Sequence, residues 1–335
     1  FGFRQVEIRE GRFHLNGQPI RLRGTSRQDS HPLMGRTVPP ETQKQDVEWT
    51  LWANCNNAYT CAFLPDEEFL ELCDEVGLYV MDEPGPCWVG TPAVDLWKTE
   101  HFDDPKYFPY FLQPVLEMIE RDRSHPSVIT WMLADESRFG KSFGQVAKIV
   151  RATDPSRPIH FSYDPLDSTF DLASWHYPYP KQFAQAEVSK RPVIFDQSAH
   201  VYCSNMSELM TDPGLRDDWG RQYAAFWEKI WETPSILGAQ VFNLTDDVFL
   251  MPSGQVLGYG DWGLIDYWRR AKPDLWHVKK AHTPIKIQDG PIPLPAAGAP
   301  VEIPVENRYD FTDLKDVRIE WALGDESGTL ETRIP

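Results

Sequence analysis

The sequence predicts an α/β fold, a (β/α)8 TIM barrel followed by a short β-rich C-terminal piece of a sandwich domain. Three observations predict it. Eight short apolar runs, most of them separated by helical stretches, span roughly 250 residues, the size of one such barrel. The run from Val128 to Ala134 lacks the polar alternation of a half-exposed strand, as expected of a strand covered on both faces. No G-x-G-x-x-G follows any of the eight runs, which argues against a dinucleotide-binding open sheet.

In chain order, "VEIREGRFHLNGQPIRLRG" reads as a hairpin leading into the first strand, "RLRGTS" (21–26). A helix over 40–54 is opened by Pro39-Pro40, since proline suits the first helical turn. "NAYTCAF" (57–63) follows, then a helix over 66–76 closed by Gly77, and "LYVMDE" (78–83). A helix over 105–123 leads to "VITWMLADE" (128–136), and one over 142–153 to "PIHFSY" (158–163). The connection to the sixth strand, "DLASWHY" (171–177), is short. "PVIFDQ" (192–197), a helix over 215–232, "ILGAQVFNL" (236–244) and a helix near 270–283 complete the repeat. Residues 1–283 are therefore assigned to the barrel with its hairpin, 284–300 to a Pro/Gly/Ala-rich linker, and 301–335 to part of a β-sandwich domain. The incomplete ends mark the chain as the central part of a larger modular protein.

Composition narrows the partners. The 335 residues are 41% hydrophobic and 13% aromatic, enough for a large core. A net charge of −17 opposes both nucleic acid and anionic membrane, so neither is expected as a partner. There is no apolar run of about 18 residues and no signal-peptide pattern in "FGFRQVEIRE", which leaves the compartment open. Five cysteines (Cys55, Cys61, Cys73, Cys87, Cys203) show no C-x-x-C spacing and read as free. Several of the 13 tryptophans (Trp88, Trp131, Trp175, Trp262, Trp268) fall near strand ends, where they either pack in the core or stack on a sugar ring.

Active sites of such barrels lie at the C-terminal strand ends, which selects Glu83, Asp135, Glu136, Tyr177, Asp196, Gln197 and Asn243. Glycoside hydrolysis with retention needs a carboxylic acid and a second carboxylate about 5 Å away. Glu136 is the natural acid, and the seventh strand offers Asp196 or the amide Gln197 as its counterpart.

At these residues the chain resembles glycoside hydrolase family 2, the family of β-galactosidases, β-glucuronidases and β-mannosidases. The likeness is carried, in order, by "GRFHLNGQPIRLRG", "SRQDSHPLMGR", "DEEFLELCDEVGLYVMDE", "RDRSHPSVITWMLADES", "DPSRPIHF", "GYGDWGLIDYWRRAKPDLWHVKKAH" and "VENRYDFTDL". It implies a barrel flanked by β-sandwich domains, a retaining mechanism, and exo-acting removal of a terminal β-linked sugar from an oligo- or polysaccharide, with no cofactor. By position, Glu136 matches the general acid/base, and Gln197 stands where the nucleophile is a glutamate. An amide cannot form the glycosyl ester, so Gln197 is either an introduced Glu→Gln change, the favoured reading, or a natural loss or move of the nucleophile. Tyr177 and His200 match positions beside the nucleophile, and Trp175, Trp262 and Asn243 are expected in the pocket wall. Gln28 replaces a sugar-binding histidine. Thr60 and Phe63 replace an arginine and a histidine, and Leu244 replaces a tryptophan. Cys87 and Val89 replace Mg²⁺ ligands, so no metal is expected.

Asp135 stands where the family has an asparagine and is expected to accept from the sugar 2-hydroxyl. With Asp135, Glu136 and Asp196 near the pocket and no Asn-x-Lys motif, a neutral, galactose-like sugar is the better expectation than an anionic one. A carbohydrate-binding barrel without hydrolytic activity is the alternative from a different class. The sequence does not fix the oligomeric state, and a homo-oligomer is compatible with it.

Overall fold

The computed structural model describes residues 2–91, 101–163, 169–200, 211–212, 214–287, 290–293 and 295–330. Cys203 lies outside them. The chain divides into two compact units, 1–282 and 283–335.

The first unit holds eight parallel strands, β1 (Leu22–Arg27), β2 (Asn57–Thr60), β3 (Tyr79–Asp82), β4 (Val128–Met132), β5 (Ile159–His160), β6 (Ala173–His176), β7 (Val193–Ser198) and β8 (Ile236–Val241). Their order is β5-β4-β3-β2-β1-β8-β7-β6, so β1 pairs with β8 and the sheet curls into a nearly closed barrel. The β8 backbone comes so close that a Cβ on Gly238 would meet the Leu22 carbonyl oxygen at 1.9 Å. On the inner face, Gly24 leaves the space that Gln240 fills, and Gln240 accepts from Asn57 Nδ2 at 2.9 Å.

Helices α1 (Pro40–Trp52), α2 (Glu67–Val76), α3 (Phe108–Asp122), α4 (Lys141–Thr153), α5 (Pro180–Glu187), α6 (Gly214–Glu232) and α7 (Asp274–Ala281) surround the barrel. Local chemistry sets their ends. The Asp66 side chain caps α2 by accepting from Glu68 N, and Gly77 ends it at φ 75°. Helix α5 was not anticipated, because "PKQFAQAE" has only one buried position, Ala186. Among the described residues, no helix is long and apolar enough to cross a membrane.

No backbone ladder joins β5 to β6, where the connection is short. One backbone bond, from Asp171 N to the Ile159 carbonyl at 2.9 Å, and several side-chain contacts cross this seam. His160 Nδ1 lies 3.3 Å from Ser174 Oγ, and Ser162 Oγ lies 3.2 Å from His176 Nδ1.

The hairpin Val6–Arg9 and Arg12–Leu15 plugs the N-terminal end of the barrel. Its Phe13 and Leu15, together with Ile20, cluster with Leu22, Leu172, Ile194 and Leu237. That leaves the C-terminal end open for a site. Cys55, Cys61 and Cys73 are buried, and with Cys87 they are free thiols. The second unit contains two separate hairpins, Ile285–Ile287 with Val305–Asn307 and Ile319–Leu323 with Glu326–Leu330.

One buried carboxylate ties the open end together. Asp46 of α1 accepts from Arg27 Nε of β1 at 3.2 Å and from Arg269 Nε at 2.9 Å, and Arg269 also donates to the Ser30 carbonyl at 2.7 Å. Removing Asp46 would leave two buried guanidiniums without their shared counter-charge. Asp46→Ala is expected to destabilise the barrel by about 3–5 kcal/mol, read as a lower urea midpoint.

Candidate active site

The C-terminal strand ends open into a cavity of about 390 Å³, within the ordinary range for small-ligand sites. Gln28, Asp135, Glu136, Tyr177, Gln197 and His200 line it together, although they come from four different strands or the loops that follow them.

Asp135 and Glu136 follow β4. The chain leaves the ladder after Met132, and Asp135 N donates to the Pro86 carbonyl at 3.0 Å. Glu136 has φ 38°, a left-handed conformation for a residue with a side chain. Its Oε2 accepts from Trp88 Nε1 at 2.6 Å, and its side chain keeps 24% exposure against 4% for Asp135.

His176, at the end of β6, links the acids. Its Nδ1 is 2.7 Å from Asp196 Oδ1, and its Nε2 is 3.2 Å from Asp135 Oδ1 and 3.5 Å from Glu136 Oε1. Burial alone would lower its pKa, but Asp196 and then Asp135 reverse the effect and raise it well above the usual histidine value. Burial likewise works against the Asp196 charge, yet His176 and Ser174 hold its pKa below the ordinary range. An imidazolium bridging carboxylates is the result.

Gln197 lies within β7. Its Oε1 accepts from the Tyr177 hydroxyl at 3.0 Å, and its Nε2 faces Asp135 Oδ1 and Oδ2 at 3.4 and 3.5 Å. Tyr177 also contacts His200 Nε2. Burial, with His176 adding to it, lowers the His200 pKa to about 4, so this ring is neutral. Having one proton to give, Tyr177 donates to Gln197 and accepts from His200.

Three expected wall residues lie elsewhere. Trp175 points outward into the core, 6.3 Å from the Phe195 ring, because it precedes the inward-facing His176 and neighbouring strand residues face opposite ways. Asn243 is fully buried, its Oδ1 accepting from Leu244 N at 2.8 Å, so it turns the chain after β8 and does not reach the cavity. Trp262 stands one layer back, its ring 4.9 Å from His200 and 5.7 Å from Phe242. Asp196 is buried behind His176 and does not line the cavity. Sequence reasoning missed Arg36, Phe249 and Asp247, which do.

Among the described residues, the donors able to converge on a cation are Cys61, Glu83 and Asp135, within 4.8 Å of one another. Burial and then Asp135 push both the Cys61 thiol and the Glu83 carboxyl well up. A thiol and a carboxyl held in their neutral forms are poor ligands for a hard cation such as Mg²⁺. Val89 is fully buried, and Cys87 Sγ instead lies 3.6 Å from Asp135 Oδ2.

The His176–Asp196 pair gives stability a defined pH window. The folded His176 value lies above 6.5, so its contribution is full below about pH 6.5 and is lost as pH rises through the folded value. The folded Asp196 value lies below 3.8, so its contribution is present above that pH and is lost on acidification. In urea unfolding across pH, the destabilisation by His176→Gln is expected to be largest between about pH 4 and 6.5 and to shrink toward alkaline pH.

Comparisons with known proteins agree with this architecture. Residues 6–230 match the family described as glycosyl hydrolases family 2, TIM barrel domain. A β-galactosidase of Pectobacterium atrosepticum is 26% identical over 362 aligned residues, covering 98% of this chain and 32% of that protein. A β-D-glucuronidase of Dictyoglomus thermophilum superposes with a TM-score of 0.69 at 20% identity, covering 84% of this chain and 54% of its own. The β-glucuronidase of Ruminococcus gnavus gives 0.71 at 20% identity, with 84% and 53% covered. The structural likenesses are of fold. The chain spans about a third of the β-galactosidase and about half of the solved relatives. By the extent of the family match, over a barrel whose strand ends gather these carboxylates, the chain belongs to glycoside hydrolase family 2.

Proposed function

We propose that this chain is the catalytic barrel of a retaining exo-β-glycosidase that removes a terminal neutral sugar, of β-galactoside type with altered specificity, from an oligo- or polysaccharide. Glu136 is the general acid/base. The observation that carries this reading is the setting of Glu136: it is the partly exposed member of the carboxylate group, oriented by the 2.6 Å bond from Trp88 Nε1, where a leaving-group oxygen can reach it. The aromatic rings of Phe63, Trp88, Phe242 and Phe249 offer apolar surface to a sugar face, and Gln28, Tyr177, His200 and Gln197 offer polar contacts. A neutral sugar suits a wall carrying Asp135, Glu136 and Asp247. Its one arginine, Arg36, is already stacked on Phe63 at 4.4 Å and donates to the Asp29 carbonyl.

The reading is tested with a panel of aryl β-glycosides (galactoside, glucoside, mannoside, xyloside, glucuronide) on the whole protein and on its Gln197→Glu form. Hydrolysis of a neutral glycoside is expected. Glu136→Gln should lower kcat/KM by about 10²–10⁴-fold for a poor leaving group and much less for dinitrophenolate, which needs no proton. Failure of both forms on every glycoside would sink the reading. Exhaustive chelation is expected to leave turnover unchanged, and loss in EDTA restored by Mg²⁺ would contradict the assignment of Cys87 and Val89.

A further inference from the structure

Resting on that reading, we propose that Asp135 is the nucleophile that completes the hydrolytic pair with Glu136, and that Gln197 is the amide that positions it. The carboxylate and the amide have changed places.

Two adjacent residues of an extended chain point to opposite sides. The left-handed backbone of Glu136, φ 38°, breaks that alternation and lets both carboxylates line one cavity. Their oxygens Oδ1 and Oε1 are each within 3.5 Å of His176 Nε2, and so within about 7 Å of one another, which admits the separation of about 5 Å of retaining pairs. Asp135 is also the acid that the cavity orients most fully. Oδ1 meets His176 Nε2, both oxygens face Gln197 Nε2, and Cys87 Sγ lies 3.6 Å from Oδ2. The amide cannot turn round without cost, because its Oε1 is taken by the Tyr177 hydroxyl.

Other groups fit the role less well. Glu83 is bound to Ala62 N, and Asp196 lies behind His176. Asp247 accepts from Ser30 Oγ at 3.0 Å. Burial and then Glu136 push the Tyr177 phenol up, which disfavours its anion.

In the first step an Asp135 oxygen bonds to the anomeric carbon as the bond to the leaving oxygen breaks, and the Glu136 proton passes to that oxygen. In the second, water gives a proton to Glu136 while its oxygen bonds to the anomeric carbon. The aspartyl ester bond breaks, and both carboxyls return to their starting states.

The test uses the whole protein with the 2,4-dinitrophenyl 2-deoxy-2-fluoro-β-glycosides of galactose and glucose, followed by peptide mass spectrometry. A glycosyl ester on Asp135 is expected. Asp135→Ala, with the isosteric Asp135→Asn beside it in case the first fails to fold, should lower turnover of the parent dinitrophenyl glycosides by about 10³-fold or more. Added azide should then restore Asp135→Ala turnover and yield the α-glycosyl azide, whereas Glu136→Ala with azide should yield the β-product. Gln197→Glu sets a second carboxylate against Asp135 and should lower kcat more than it changes KM. An ester on any other residue, a β-azide from Asp135→Ala, or an inert protein awakened by Gln197→Glu would overturn the proposal. The last result would leave the glycosidase reading standing, whereas silence of both forms on every probe would overturn the two together.

Discussion

His176 faces Asp196 at Nδ1 and Asp135 at Nε2, 2.7 and 3.2 Å away, and the two carboxylates can both accept a bond there only when the ring carries both protons. The rest of the site follows from that. Asp196 is fully buried and Asp135 nearly so, and an unpaired carboxylate at such depth costs several kcal/mol. The imidazolium shares its single charge between them, Asp196 being the nearer, while standing 3.5 Å from Glu136. Glu83, fully buried nearby, has no comparable cation, and its carboxyl is pushed well up by burial and by Asp135. Negative charge is thereby held on Asp196, the carboxylate nearest to His176.

The same histidine belongs to the scaffold. Where β5 and β6 lack a ladder, Thr130, His160, Ser174 and Asp196 run as a chain of side-chain contacts: Thr130 Oγ1 to His160 at 3.2 Å, His160 to Ser174 at 3.3 Å, and Ser174 to Asp196 at 2.6 Å. Burial keeps His160 neutral, lowering its pKa to about 4, so this chain spans the seam without adding charge. Asp196 ends it and orients His176. Closure of the barrel and orientation of the site therefore share one hydrogen-bonded belt, which couples them energetically.

The eight strands and most of the helices were legible because covered parallel strands read as unbroken apolar runs and because Pro40 and Gly77 punctuate the helices. The rule that sites gather at strand ends reached Asp135, Glu136, Tyr177 and Gln197, and the family resemblance added Gln28 and His200. It failed where parity decides. Trp175 and His176 are neighbours in the sequence, and only the register of β6 against β7, which pairs Gln197 with His176, says which of them faces inward. Arg36 sits in a loop that carries no periodic signal, and Phe249 lies in a short strand, Asp247–Leu250, beyond the eighth barrel strand, which the sequence reading did not include. The bond from Trp88 to Glu136 depends on a turn that pairs Cys87 with Asp135, a contact 48 residues apart in the chain.

Residues 135 and 197 have to be understood as a unit. An amide facing a carboxylate supplies one donor and one negative charge whichever side carries which, so exchanging them keeps the local charge and the hydrogen bond between them. The surroundings are not symmetric, however. On the 135 side lies the imidazolium, 3.2 Å from Oδ1. On the 197 side lie the Tyr177 hydroxyl, which must donate, and the Cys61 sulfur, 3.3 Å from Nε2, whose thiol is held neutral by burial. A carboxylate at 197 would have to settle for neutral donors, whereas one at 135 faces the His176 imidazolium that it shares with Asp196, and hydrogen bonds to charged partners are roughly twice as strong as neutral ones. On the proposed reading, a carboxylate at 135 with an amide at 197 is the arrangement the neighbouring groups satisfy best.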